Sequence, residues 1–100
     1  MTKADFVWAV GFQGNTAIVN KGQRLARRAA KWEALLAEGY LRAAFCSALW
    51  DAEKQADQSP LTAYVEALSA RIGRPLSVED AKRLLGVFKL PSANVKVLAV

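Results

Sequence analysis

The sequence predicts an α+β fold in which an N-terminal β-hairpin and a C-terminal strand form a small sheet covered on one face by about four α-helices. Three observations carry that expectation. Bulky side chains alternate over residues 5–12, and the apolar spacing changes to a helical period after residue 23. Nineteen alanines and twelve leucines stand against two isoleucines, a balance that favours helix because Ala and Leu lose little side-chain freedom in one.

Phe6, Trp8, Val10 and Phe12 fall at period two with Val7, Ala9 and Gly11 between them, which predicts a strand with one bulky face. Gln13-Gly14-Asn15 tolerates positive φ and Thr16–Asn20 resumes a β-branched run, so a hairpin is expected. From Gln23 onward Leu25, Ala29, Trp32 and Leu36 form a helical apolar stripe, while Lys21, Arg24, Arg27, Arg28 and Lys31 share another face. Gly39 breaks or bends that helix. Leu41, Phe45, Ala48, Leu49, Ala52 and Ala56 then form the stripe of the next one.

Ser59-Pro60 reads as a restart, with Ser59 as cap and Pro60 at the first helical position, whose N–H needs no partner. The third helix is expected to bury Leu61, Tyr64, Val65, Leu68 and Ile72 and to stop at Gly73-Arg74-Pro75. Ser77 opens the fourth, with Asp80 closing a capping box. Val78, Ala81, Leu84, Leu85 and Phe88 line one face of it up to Pro91. Residues 94–100 read as the last strand. So small a sheet leaves a face and two edges open, which points to pairing with a second copy in a homodimer.

One hundred residues, 53% hydrophobic and 23% charged, are expected to form one globular domain spanning 1–100. The chain has no histidine and a single cysteine, Cys46. That excludes an intrachain disulfide, a zinc finger, a His-based triad and an imidazole proton shuttle. No catalytic, cofactor-binding or metal-ligating residue is assigned, no cofactor is expected, and the chain is read as non-enzymatic. The first residues lack the apolar core of a secretory signal, and no apolar run approaches the ~18 residues of a membrane span. Cytoplasmic residence without membrane contact is the expectation.

The most distinctive feature is electrostatic. Residues 21–42 hold six cations against two carboxylates, a net +4 of the chain's +5. Lys21, Arg24, Arg27, Arg28 and Lys31 would line roughly 15 Å of helix, enough to meet an acidic protein or two or three phosphates of a nucleic-acid backbone. The plainer alternative is a solvated face whose long stems cover apolar flanks. Trp50 falls outside the apolar sector of its helix, making it a candidate partner contact unless another helix covers it.

Other motifs resolve to structure. The connection between the third and fourth helices is longer than that of a helix-turn-helix. Phe6, Trp8 and Phe12 lack the basic interleaving of a base-stacking platform, and Gly11-Phe12-Gln13-Gly14 lacks the Gly-Lys-Ser/Thr ending of a phosphate loop. Cys46, four residues after Arg42, has neither a base nor a resolving thiol and reads as a structural residue.

Overall fold

A computed structural model of the chain describes residues 2–13, 16–20, 31–87 and 94–98. Among these, the elements in chain order are α1 (Lys3–Val7), β1 (Ala9–Gln13), β2 (Thr16–Asn20), α2 (Trp32–Ala37), α3 (Leu41–Gln55), α4 (Ser59–Ile72), α5 (Val78–Leu85) and β3 (Asn94–Leu98). The architecture is mostly helical. This corrects the α+β expectation of a sheet roofed by about four helices, because the helices pack chiefly on one another. Helix α3 is their centre, in contact with α1, α2 and α4, and α1 is the helix that packs against a strand, β2. The strands pair in the order β1-β2-β3, β1 antiparallel to β2 and β2 parallel to β3.

The N-terminus departs most from its predicted conformation. Thr2 and Asp5 form a capping box, with Thr2 Oγ1 accepting from the Asp5 N–H at 3.3 Å and Asp5 Oδ2 accepting from the Thr2 N–H at 2.9 Å. Two otherwise unpaired amides are thereby satisfied, and α1 forms where a strand was expected. Phe6, Val7 and Trp8 are consecutive and all buried, which an alternating strand cannot achieve against a single layer. Strand β1 starts only at Ala9.

The helical rod expected from Gln23 onward is interrupted at Lys31, whose backbone is extended (φ −67°, ψ 149°) as it caps α2. Gly39 then takes φ +88°, a left-handed conformation that costs a glycine little, and Tyr40 starts α3 in a new direction. Helix α3 buries residues 43–49 without interruption. Four of those seven are Ala43, Ala44, Ser47 and Ala48, and such small side chains let neighbouring helices approach on several sides. Phe45 and Leu49 fill the space between them, alongside Tyr64 and Leu68 of α4 and Leu35 of α2.

Polar ties fix how the layers meet. Tyr64 stacks edge-on with Phe45 and Trp32, at 5.6 and 5.8 Å between ring centroids, while its hydroxyl donates to the Leu41 carbonyl at 2.8 Å. Arg71 Nη1 donates to the Leu36 carbonyl at 2.6 Å, satisfying the C-terminal end of α2. Lys3 bridges Asp51 at 3.0 Å and joins α1 to α3.

Helix α4 starts at Ser59 with Gln58 as its N-cap, so Ser59 is not the cap predicted. Asp57 organises this start instead: its Oδ1 accepts from the Ser59 N–H at 3.0 Å and from the Ser59 hydroxyl at 2.7 Å. Gly73 ends α4 with φ +82°, and Ser77 and Asp80 cap α5 reciprocally, as the sequence predicts. Helix α5 stops at Leu85 rather than near Pro91, because Gly86 turns left-handed at φ +71°. Leu61, Tyr64, Val65 and Leu68 are buried, but Ile72 is 42% exposed and Leu84 is 54% exposed. Phe88 and Val10 have side chains outside the described set.

Two stability predictions follow from this packing. Phe45→Ala should lower the unfolding free energy by about 3–5 kcal/mol, and Tyr64→Phe by about 1 kcal/mol through the lost hydroxyl bond, both measured by denaturant titration. Ala56 ends α3 with φ +51°, where a Cβ is strained, so Ala56→Gly should raise stability by up to about 1 kcal/mol; an unchanged or lower midpoint would contradict that strain.

Candidate interaction surface

The partner-binding residues read from the sequence divide into two groups. Lys21, Arg24, Arg27 and Arg28 lie outside the described residues. Lys31 and Trp50 lie within them. Lys31 is exposed at the start of α2, on the rim of a depression of about 410 Å³ that also presents Trp32, Pro60 and the carboxylates of Glu33, Asp51 and Asp57. Among the described residues, those that line this depression with Lys31 include three carboxylates. The backbone of Lys31 is extended, so no continuous helix runs through it into α2.

Trp50 is half-buried. One side of its ring meets Phe6 of α1 at 6.1 Å between centroids, and Lys54 Nζ lies 4.8 Å from the ring centre, one turn farther along α3. Helix α1 thus supplies part of a local cover for Trp50. The indole remains partly accessible beside a cation that reinforces it.

A second depression, of about 430 Å³, lies where α4 turns into α5 and is lined by Arg74, Pro75, Leu76, Asp80, Arg83 and Leu84. Its geometry begins with Ser69, whose hydroxyl donates to the Val65 carbonyl at 2.7 Å and accepts from the Leu76 N–H at 3.0 Å. These bonds hold the connecting segment against α4. Asp80 is drawn below the usual carboxylate range by its bonds from the Ser77 amide and hydroxyl, assisted by Arg83 and Arg74. Sequence reasoning missed this corner. The spacing of Leu84 places it on the apolar face of the fourth helix, and no sequence motif singles out Arg83.

Cys46 is nearly inaccessible, at 2% exposure. Burial pushes its thiol from 9.0 up to about 12, outweighing the opposing pull of Arg42. Tyr64 is likewise pushed up by burial, then by the neighbouring Cys46, against Arg71. A thiol in this state is a poor nucleophile at neutral pH, in keeping with its structural reading. Among the described residues no three metal-binding side chains gather into one group, and no helix is long and apolar enough to cross a membrane.

No family model, curated protein or solved structure matches the chain.

The thiol generates a pH prediction. It holds its proton more tightly when folded, so its contribution to stability is complete below 9 and is withdrawn as pH climbs toward about 12. Stability should decline across that interval, and less so in Cys46→Ala. Alkylation by iodoacetamide at pH 8 should be slow in the folded chain and fast in denaturant; equal rates would contradict the burial.

Proposed function

We propose that the chain is a small, non-enzymatic interaction module of the cytoplasm, self-associating, whose basic segment docks an acidic protein partner. Lys21, Arg24, Arg27, Arg28 and Lys31 make the contact. The observation that carries this reading is the concentration of charge: residues 21–42 hold +4 of the chain's +5. A local excess of that size steers an acidic surface toward it and raises the association rate. Lys31, the one of the five that lies within the described residues, is exposed, which supports the reading.

Self-association has two supports. Among the described strands β1 and β3 are the outer ones, and an outer strand offers backbone groups for pairing with another chain. Trp50, partly accessible between Phe6 and Lys54, is an amphipathic ring of the type that anchors interfaces. A second functional reading uses the same cations on phosphate backbones, with binding gained by counterion release and little reading of bases.

The combined variant Arg24→Gln, Arg27→Gln, Arg28→Gln should keep its fold and lose at least about tenfold in affinity for polyglutamate, three charge contacts being removed. Mixed-sequence single-stranded DNA separates the two readings. Negligible binding at low salt removes the nucleic-acid alternative, whereas binding that falls steeply with added salt and disappears in the triple variant replaces the protein partner with a nucleic acid. Light scattering at micromolar concentration should give a mass above 10.9 kDa, and a mass equal to it overturns self-association.

A further inference from the structure

We infer that the α4–α5 corner docks a short acidic segment of a partner protein that carries a leucine-type side chain beside its carboxylates. Three features of the corner select that chemistry. Leu84, more than half exposed, is one of two large apolar side chains left open among the described residues. It lies one turn beyond Asp80 on α5 and lines the same depression, exposed although Ala81 three residues earlier is buried. Arg74 and Arg83 flank the same depression, and Leu76 and Pro75 supply further apolar lining.

The charge balance points to an acidic occupant. Asp80 is the one carboxylate among the lining residues, and it is already committed to the cap of α5, with Oδ2 accepting from the Ser77 N–H at 3.0 Å. Its Oδ1 is 4.0 Å from Arg83 Nη2, at the outer limit of an ion pair. Two guanidiniums therefore share one carboxylate whose strongest bonds go elsewhere. A guanidinium presents planar donors that suit a carboxylate bidentately, so the corner is underneutralised and shaped for anions with an apolar neighbour.

Preorganisation adds to this. The segment between the helices is held by Ser69 at Leu76 and by the left-handed turn at Gly73, so Arg74 and Leu76 are carried on an anchored backbone. Little ordering remains to be done on binding. The inference does not depend on the basic segment at residues 21–31, which makes the two surfaces separable by mutation.

Fluorescence anisotropy with two labelled peptides tests it, one a Glu-Leu-Leu-Glu repeat and the other a Glu-Ser-Ser-Glu repeat of equal charge. The wild-type chain should prefer the leucine peptide by about tenfold or more. Arg74→Gln with Arg83→Gln should abolish that preference, as should Leu84→Ser. The triple variant of Arg24, Arg27 and Arg28 should keep it, even if its overall affinity for both peptides drops. Thermal melts of the corner variants should match the wild type, since the three altered side chains are exposed. Absence of a preference overturns the inference, as does a preference that survives in both corner variants. Mixed-sequence DNA bound at the corner in place of either peptide also overturns it, making the site one for phosphates.

Discussion

Helix α3 can sit at the centre of the helices because the side chains at 43, 44, 47 and 48 are small and those at 45 and 49 are large. Its contacts with α1, α2 and α4 all depend on that alternation of volume. An amphipathic helix buries one stripe, but the stretch 43–49 is buried throughout, the pattern of a helix with neighbours on several sides. Enlarging any of these small residues would separate helices whose close approach allows Phe45, Leu49, Tyr64 and Leu68 to fill the interior. Cys46 belongs to the same constraint. Its thiol is buried because its helix is enclosed, and its reluctance to ionise follows from that enclosure.

Aromatic residues extend this centre outward. Phe6 reaches Trp50, Trp8 meets Tyr40 edge-on at 5.5 Å, and Trp32 and Phe45 both meet Tyr64. Each pair joins two segments distant in sequence, and edge-on rings add attraction beyond their buried area. The two short helices α1 and α2 are attached to α3 and α4 in this way. Helices α1 and α2, of five and six residues, are too short to persist in water alone, so their stability comes from packing on α3 and α4.

The surface divides its charge unevenly. Carboxylates at Glu33, Asp51 and Asp57 gather around Lys31 near the starts of α2 and α4, whereas the α4–α5 corner has guanidiniums in excess. Both depressions arise where one helix ends and another begins, since a turn leaves space that continuous helices would close. The cations lining them stand outside the buried core, which is built mainly from apolar and small residues.

Some helix boundaries set by local chemistry were legible in the sequence, though the stop of α5 at Gly86 was not. Gly39 and Gly73 adopt the left-handed conformation their positions imply, and Ser77 with Asp80 forms the reciprocal cap. The Thr2–Asp5 box was equally present in the residues but was outweighed by the alternation of Phe6, Trp8, Val10 and Phe12, a pattern that also fits consecutive buried residues at a helix end. The strand segments at 16–20 and 94–98 were recognisable by their β-branched runs, yet their parallel pairing depends on contacts between chain ends that no local pattern encodes.

Sequence alone therefore determined the stop of α4 at Gly73 and the start of α5 at Ser77, because caps and left-handed glycines act within a few residues. It also determined the absence of imidazole chemistry and the uneven distribution of charge. Tertiary structure decided which apolar side chains go inside. Ile72 and Leu84 have the same helical spacing as their buried neighbours but remain exposed, because periodicity defines a face of a helix while burial requires another element to lie against it.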